Sequence, residues 1–308
     1  MSEILCIIDG MTDPAFQPGA LPNLAKMRCA GRLNTVGEGK AESLNCILHL
    51  LGVSQIPANL RAYAEALAED IPLAEDDLIL RGSWYALDED GRCRRPIAGA
   101  PTLLDDLGRY RYYNLEQYKA ILVFPGQAKF VDKIVTHPPY GEMGEPAEAY
   151  RPQGYPLLAA CFNAWLQKDR CLIPWGQSVY AELPPFPQKS AAVCQAAVVK
   201  GIAKMLKMDL LKIPGATADI DTDLPAKLRA TLTAAETYPF VLLHINGADE
   251  AAHRRNPAEK AAFLQRVDEL VLAPLLQSGH KIKVVSDHGT DPLSGQHIGA
   301  LQPYYVNC

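Results

Sequence analysis

Short, largely apolar runs in this chain are followed closely by side chains that can bind a metal ion. Residues 4–8 run into Asp9, and residues 282–285 are followed by Asp287 and His288 after one serine. Apolar runs of this length are typical of strands that are buried on both faces of a parallel sheet. In open α/β folds the carboxyl ends of such strands form the edge where ligands bind. We therefore expect these polar residues to lie at one functional edge, although a simple turn would also explain Asp9.

The second half of the chain alternates between strand-like and helix-like segments. Predicted strands cover 171–174, 210–213, 240–244 and 282–286, and predicted helices cover 191–205, 224–236 and 257–276. Alternation of this kind argues for a parallel sheet with helices packed on its faces. The predicted fold class is therefore α/β, with a three-layer α/β/α architecture and a mostly parallel sheet.

The composition changes between about residues 87 and 167, where Tyr, Pro and Gly become frequent. Strand-like pieces at 120–124 and 133–136 and a helix at 157–167 are predicted there. A local change of this kind indicates a smaller domain inserted into a larger one. We predict a discontinuous catalytic domain, 1–86 and 168–308, interrupted by an α+β cap domain at 87–167.

The composition argues against several classes of function. The chain has 308 residues, a formal net charge of −5 and no basic stripe, which argues against nucleic-acid binding. No apolar stretch approaches the roughly 20 residues of a membrane span, and a signal peptide is not evident. The 8 cysteines form no CxxC pair, which favours free thiols in a reducing cytoplasm. We expect a cytoplasmic protein without nucleic-acid or membrane partners, and the oligomeric state stays open.

Histidines concentrate near the C-terminus, where 5 of the 7 lie between His244 and His297. Asp249 and His253 are four residues apart, so a helical turn would place both side chains on one face. Carboxylate and imidazole together are typical ligands of a divalent ion such as Zn or Mn. The alternative is that Asp249 caps a helix and the histidines are ordinary core or surface residues.

A further candidate residue lies at the start of a predicted helix that runs from Ser43 to a stop at Gly52. Ser43 occupies the position of an N-cap residue, and capping alone would explain it. The N-terminus of a helix is also where a phosphate group or an attacking alkoxide is best stabilised. Capping and catalysis require the same geometry here, so the sequence leaves both open.

These features occur in a fixed order along most of the chain. In that order they are Asp9-Gly10-Met11, the helix at Pro22-Asn23-Leu24, Ser43 with Leu51-Gly52, Arg81, Trp175-Gly176-Gln177, Lys200-Gly201-Ile202-Ala203, Pro214-Gly215-Ala216-Thr217, Asp221-Thr222-Asp223, Asp249-Glu250-Ala251-Ala252-His253, Ser286-Asp287-His288 and His297. The ordered set resembles the archaeal-type, cofactor-independent (2,3-bisphosphoglycerate-independent) phosphoglycerate mutases of the alkaline phosphatase superfamily. Each motif alone is weak evidence, whereas the complete order is specific.

The resemblance implies a metalloenzyme with two divalent metal ions, Mn or Zn, with Mg also possible. The motifs that correspond would bind one ion through Asp9, Ser43, Asp287 and His288. They would bind the other ion through Asp249, His253 and His297. Ser43 would carry the phosphoryl group as a phosphoserine while two small phosphorylated substrates, 3-phosphoglycerate and 2-phosphoglycerate, interconvert.

Arg81 and Lys200 are the candidates for binding the anionic groups of the substrate. A guanidinium group can bind phosphate or carboxylate through two parallel hydrogen bonds, and lysine supplies a point charge. The alternative is that both residues form salt bridges at the surface.

The chain departs from the family beside Ser43. The acidic residue and the histidine that the family carries on this helix correspond to Leu44 and Ile47, and His49 faces another side of the helix. The insertion is also short for the family, so we expect incomplete closure and some hydrolysis of the substrate. Two alternatives follow: a metal-dependent phosphomonoesterase or phosphotransferase on another small hydroxy acid, and a non-catalytic metal-binding homologue.

Overall fold

The computed structural model describes residues 1–36, 41–99, 108–115, 117–139, 144–299 and 301–307. Its strands are β1 Glu3–Ile8, β2 Gly10–Thr12, β3 Arg28–Leu33, β4 Leu78–Leu87, β5 Cys93–Pro96, β6 Arg111–Asn114, β7 Lys119–Phe124, β8 Arg170–Ser178, β9 Ser190–Val193, β10 Asp209–Leu210, β11 Phe240–Ile245, β12 Lys281–Val285, β13 Gly289–Thr290, β14 His297–Ile298 and β15 Gln302–Val306. Its α-helices are α1 Ser43–Leu50, α2 Arg61–Ala68, α3 Pro156–Trp165, α4 Ala197–Met205, α5 Leu224–Ala235, α6 Gly247–His253, α7 Pro257–Val267 and α8 Ala273–Gln277. Short 3-10 helices lie at Pro18–Ala20, Leu24–Lys26, Ala128–Lys133 and Ala147–Tyr150, and a π-helical segment, Asp268–Leu272, joins α7 to α8. Within the described residues, no helix is both long and apolar enough to cross a bilayer.

The chain divides into two compact units: Met1–Ile56 with Leu183–Cys308, and Pro57–Glu182. The first unit is built on a sheet of strand order β10-β9-β11-β1-β12-β15-β3. Neighbouring strands are parallel from β10 through to β12, and β15 and β3 continue the sheet in antiparallel pairing. This arrangement confirms the predicted α/β fold with a mostly parallel sheet.

Helices cover both faces of this sheet, as the apolar runs require. On one face, Ile4 and Ile8 of β1 share a core with residues of α5, α7 and α8. Side chains of β1 that point to the other face of the sheet, such as Leu5, are also buried. On that face Leu50 of α1 lines a cavity with Leu5, and α1 packs against α4. Side chains alternate between the two faces of a strand. Because the side chains on both faces are buried, the sheet must be covered by helices on both sides, which gives the three-layer arrangement.

The central strands of the first unit end side by side. Strand β1 lies between β11 and β12, with Ile8 in register with Ile245 and Ile7 in register with Val285. Asp9, helix α6 and residues 286–288 follow these strands, so all three begin at the same edge. A small sheet of order β14-β13-β2 continues from this edge.

The second unit, Pro57–Glu182, has an antiparallel sheet of its own. Its strand order is β5-β4-β7-β6, and β8 also pairs with β4. Large aromatic side chains, including Trp84, Phe162 and Trp165, form its core. The segment predicted as an insertion, 87–167, lies within this unit, and 100–107, 116 and 140–143 lie outside the described residues. The unit extends beyond that segment at both ends because β4 and β8, which flank the segment, pair with each other.

Two local predictions are wrong. The helix predicted over 191–205 begins only at Ala197, because residues 190–193 form β9, which pairs with β11 in the sheet. Alanine favours helix, but pairing in the buried sheet overrides this preference. The strand predicted over 133–136 is instead the end of a 3-10 helix followed by an isolated bridge at Val135.

The described cysteines are free thiols, and all except Cys29 are buried. Burial raises the pKa of the Cys6 and Cys194 thiols to about 12. Thiols of this kind are inert at neutral pH. Cys308 lies outside the described residues.

Candidate active site

Four of the predicted ligands meet where β1, β12 and α1 converge. The hydroxyl oxygen of Ser43, the first residue of α1, lies 3.1 Å from Nε2 of His288. The same nitrogen lies 3.6 Å from Oδ1 of Asp9 and 3.5 Å from Oδ2 of Asp287. Asp9, Asp287 and His288 are buried. One hydroxyl group, two carboxylates and one imidazole therefore lie close together in a largely buried group, which we call the serine cluster.

The remaining predicted ligands form a second group, which we call the histidine cluster. Asp249 and His253 lie on α6, with Nε2 of His253 3.2 Å from Oδ2 of Asp249. His297 reaches them from β14, and its Nε2 lies 3.7 Å from Oδ1 of Asp249 and 3.0 Å from Nε2 of His253. Donor atoms of Asp249, together with those of Asp9 and His288, form a further compact group. Asp249 thus joins the two clusters.

The other ring nitrogen of each histidine in this cluster contacts a backbone carbonyl. Nδ1 of His253 lies 2.9 Å from the carbonyl oxygen of Gly295, and Nδ1 of His297 lies 2.6 Å from that of Ala41. A carbonyl oxygen can only accept, so each Nδ1 must carry a proton and donate it. In the neutral rings Nε2 is then unprotonated, which is the state in which imidazole binds a metal ion.

Thr290, to which the sequence patterns assign no role, connects the two clusters. Its hydroxyl group donates to Oδ1 of Asp249 at 2.6 Å, and its oxygen lies 3.3 Å from Nδ1 of His288. Because the single hydroxyl proton is directed to the carboxylate, Nδ1 of His288 must donate to the threonine oxygen. The Nε2 atom of His288 is then unprotonated as well. The only signal in the sequence is that Thr290 follows His288 by two residues.

The carboxylates of the serine cluster have the properties expected of metal ligands. Oδ1 of Asp9 and both carboxylate oxygens of Asp287 are buried without a hydrogen-bond partner among the described residues. Burial, followed by the charges of Asp287 and Asp249, raises the pKa of Asp9 well above its ordinary value. Buried carboxylates of this kind are costly unless they are protonated or bind a cation. Together with unprotonated imidazole nitrogens, they fit a divalent ion such as Mn or Zn.

In the absence of a metal ion, the histidine cluster holds a proton. Burial alone would lower the pKa of His253, but its hydrogen bond to Asp249 and the charge of that carboxylate outweigh burial and raise the pKa to about 9. Burial and the neighbouring His288 ring lower the pKa of His297, so the His297 ring remains neutral and can accept a hydrogen bond. The Nε2 proton of His253 is therefore shared with Asp249 and His297, at the place where a cation would bind.

His244 lies in β11 next to the serine cluster but is not part of it. Its Nε2 atom lies 3.3 Å from Oδ2 of Asp9, and neither ring nitrogen has a hydrogen-bond partner in the described part of the chain. Burial lowers the pKa of His244 to about 4, so the ring is neutral at neutral pH. His244 therefore contributes packing against Asp9 rather than charge.

The two apolar residues that differ from the family pattern beside Ser43 are buried in the first unit. Leu44 and Ile47 lie on α1 with side chains that are 5% and 0% exposed, respectively. His49 is exposed, and its Nδ1 atom lies 3.3 Å from the carbonyl oxygen of Val53, three residues beyond the end of the same helix. His49 therefore does not replace the histidine that the family carries on this helix.

The predicted anion-binding residues lie in different units. Arg81, on β4 of the second unit, is buried, with its Nε 2.9 Å from Oε2 of Glu65 and its guanidinium group 4.3 Å from the centre of the Trp175 ring. Lys200 lies on α4 of the first unit and is half-buried. Binding of substrate by either residue stays a prediction.

Comparison with known proteins shows the family to which this chain belongs. A model of the Metalloenzyme superfamily matches residues 1–301. A 2,3-bisphosphoglycerate-independent phosphoglycerate mutase of Methanococcus aeolicus is 33% identical, over 94% of this chain and 84% of the relative. A relative of the same name, numbered 1, from Methanocaldococcus jannaschii is 31% identical, over 94% of this chain and 86% of the relative.

Two solved structures share the fold at low sequence identity. The PH0037 protein from Pyrococcus horikoshii matches with a TM-score of 0.72 at 18% identity, covering 99% of this chain and 87% of that one. The cofactor-independent phosphoglycerate mutase from Thermoplasma acidophilum matches with a TM-score of 0.54 at 19% identity, covering 99% and 89%. The family resemblance found in the sequence is thereby confirmed. From the superfamily match over nearly the whole chain and the identity to full-length relatives, we conclude that this chain belongs to the Metalloenzyme superfamily and, within it, to the 2,3-bisphosphoglycerate-independent phosphoglycerate mutase family.

Proposed function

We propose that this chain interconverts 3-phosphoglycerate and 2-phosphoglycerate by metal-dependent phosphoryl transfer through Ser43. One contact supports the proposal most: the Ser43 hydroxyl lies 3.1 Å from Nε2 of His288, among buried carboxylates that lack partners within the described residues. The substrate class comes from the names of the relatives, each called a phosphoglycerate mutase.

The residues of the two clusters would hold two divalent ions. The serine cluster would bind one ion through Asp9, Ser43, Asp287 and His288, and the histidine cluster would bind the other through Asp249, His253 and His297. Mn or Zn suits these mixed oxygen and nitrogen donors best, and Mg is also possible. When bound, such ions lower the pKa of a serine hydroxyl and neutralise the charge of a phosphoryl group in transfer.

Ser43 supplies the nucleophile and the temporary carrier. In the first half-reaction the bond between phosphorus and the substrate oxygen breaks while a bond to the Ser43 oxygen forms, and the proton of the Ser43 hydroxyl ends on the released substrate oxygen. In the second, the other hydroxyl group of the glycerate takes the phosphoryl group, the bond between phosphorus and the Ser43 oxygen breaks, and the proton lost by that hydroxyl returns to Ser43. Because α1 begins at Ser43, the free backbone N–H groups of its first turn would help to stabilise the anionic phosphate.

Arg81 and Lys200 would bind the carboxylate or phosphate of the substrate and hold the glycerate while its hydroxyl groups exchange places. This retention distinguishes a mutase from a phosphatase, since water must not reach the phosphoserine. The segment that interrupts the metal-binding unit would serve as the cap that limits access of water.

A phosphomonoesterase is the alternative that an observation of this chain favours. Leu44 and Ile47 replace polar residues that the family carries beside the serine, and both are buried. If the lost groups position the acceptor hydroxyl, water takes its place and free phosphate is released.

The experiment is to incubate the Mn-loaded protein with saturating 3-phosphoglycerate and to measure 2-phosphoglycerate and free phosphate together. We expect isomer as the main product, with a phosphate-to-isomer ratio above about one in a thousand, a preference against water of under ~4 kcal/mol. Acid-quenched protein should carry phosphate on Ser43, and Ser43→Ala should show neither product nor label. Release of free phosphate without isomer would exclude mutase activity. If no phosphate ester gives any product, the non-catalytic metal-binding homologue would be the remaining interpretation.

A further inference from the structure

We infer that Lys260 and Thr290 form a buried brace that positions ligands of both clusters at once. The inference rests on the proposed metal centre and adds two positioning residues to it. Neither side chain belongs to the groups of metal-binding donors found among the described residues, so each acts through a neighbour.

Thr290 is the part of the brace that touches the ligands. Its hydroxyl group donates to Oδ1 of Asp249 and accepts from Nδ1 of His288, as the distances of 2.6 and 3.3 Å and the proton count require. One oxygen atom therefore sets the orientation of a carboxylate in the histidine cluster and of an imidazole ring in the serine cluster. Supporting hydrogen bonds of this kind fix ring orientation and tautomer in metal sites.

Lys260 holds the backbone that carries Thr290. Its Nζ atom, on α7, lies 2.8 Å from the carbonyl oxygen of Thr290, 3.2 Å from that of Thr12 and 2.9 Å from Oδ2 of Asp13. An ammonium group has three N–H donors, so these three acceptors satisfy it completely. The side chain is 2% exposed, and lysine is almost never buried to this extent unless it is paired.

The backbone contacts of Lys260 lie in the small sheet that joins the clusters. Thr12 is the last residue of β2, whose chain starts directly after Asp9, and Thr290 is the last residue of β13, which starts directly after His288. In β13 Thr290 pairs with His297 of β14. One buried ammonium group therefore fixes strands that are continuous with ligands of both clusters.

The test is a competitive titration of metal-free protein with Mn against a chelator, for the wild type, Thr290→Val, Lys260→Met and the double variant. Each single substitution should weaken binding about 10- to 100-fold, as outer-shell changes do. The double variant should lose less than the product of the two single effects, since Lys260 acts in part by holding the backbone that carries the Thr290 hydroxyl group. Thr290→Ser, which keeps the hydroxyl group, should restore the affinity.

The chain provides matched controls for loss of a buried threonine and a buried lysine. Thr231 and Lys227 are both fully buried on α5, where the Thr231 hydroxyl donates to the carbonyl oxygen of Lys227, and Nζ of Lys227 donates to that of His244. Thr231→Val and Lys227→Met should destabilise the fold without a selective loss of metal affinity. Stability is followed by thermal unfolding of the metal-free proteins.

The outcomes distinguish failure of the proposed brace from failure of the proposed metal centre. Wild-type protein that binds no divalent ion would overturn both the proposed function and the brace. Wild-type protein that binds Mn, with unchanged binding in Thr290→Val and Lys260→Met, would overturn the brace alone. Equal losses in the controls, or strictly multiplicative losses in the double variant, would also overturn it, because metal affinity would then follow overall stability.

Discussion

At the scale of single residues, each histidine of the centre uses one ring nitrogen for support and the other for binding. Nδ1 donates to a backbone carbonyl in His253 and His297, and to a hydroxyl group in His288. The Nε2 atoms then converge on the carboxylates, and in the metal-free protein that of His253 still carries the shared proton. This division of roles orients each ring before a cation arrives.

The shared proton of the histidine cluster predicts how metal affinity depends on pH. His253 has a pKa of about 9 in the metal-free protein, above its ordinary value of 6.5, so its contribution to stability is complete below pH 6.5 and is lost as the pH rises through about 9. A metal ion must displace this proton. We therefore expect the apparent affinity for Mn to rise by about tenfold per pH unit between pH 7 and 9 and then to level off.

Calorimetric titration at several pH values measures this dependence. His253→Ala should remove most of the slope together with the histidine-cluster site, whereas His280→Ala, at the opposite end of β12, should leave both unchanged. A flat profile for the wild type would contradict the shared proton.

The candidate ligand residues could be proposed from the sequence because each of them stands in a recognisable local pattern. Asp9, Asp287 and His288 are placed by the ends of β1 and β12, and the spacing of Asp249 and His253 requires only one helical turn. Thr290 and Lys260 could not be recognised in this way. Their contacts depend on backbone carbonyls that are brought together by strand pairing, and no residue pattern encodes that.

At the scale of secondary-structure elements, the segment after β1 must pass very close to α6. Gly10 adopts a φ of +62°, and a Cβ atom there would lie 2.8 Å from the Cα atom of Asp249. The backbone of one cluster thus packs directly on the backbone of the other. Glycine is required here both by its conformation and by the close approach.

Gly10→Ala should therefore be more harmful than the same change at a glycine that has only the unusual conformation. Gly52, after α1, has a φ of +85° with no atom within 4 Å of the added Cβ among the described residues. We expect Gly52→Ala to lower the free energy of unfolding by about 1–2 kcal/mol. Gly10→Ala should cost about 1–3 kcal/mol more through overpacking and should also weaken metal binding. Chemical denaturation and Mn titration check this, and equal effects of the two variants would contradict the close approach.

Helices and strands were predictable where the sequence pattern was long. They were not predictable where strand pairing in the folded protein decides between helix and strand. Strands β1 and β11 and helix α5 match the predicted segments closely. Residues 190–193 became a strand because β11 offers pairing partners on that side. Their small, apolar side chains suit either structure.

At the scale of the whole molecule, each of the two units has its own hydrophobic core. The residues of the serine and histidine clusters all lie in the unit Met1–Ile56 with Leu183–Cys308. The insertion predicted at 87–167 lies within the compact unit Pro57–Glu182, which begins 30 residues before that range and ends 15 residues after it. The pairing of β4 with β8 is long-range, and composition does not reveal it.

Separate cores predict separate responses to metal. Mn at about 100 times its dissociation constant should stabilise the metal-binding unit by about 2.7 kcal/mol, because the ion binds only the folded site. A fragment of residues 57–182, produced alone, should unfold cooperatively at a temperature that Mn does not change. Differential scanning calorimetry of both proteins tests this, and a metal-dependent transition in the fragment would contradict it.

In the proposed function, a metal centre activates Ser43 for transfer of the phosphoryl group. The most direct measurement is the rate at which metal-stripped protein isomerises 3-phosphoglycerate as Mn is returned stepwise. We predict no isomerisation by the stripped protein and a rate that saturates at about two ions per chain, one for each cluster. Full activity of the stripped protein, or a rate that does not respond to added Mn or Zn, would contradict the account.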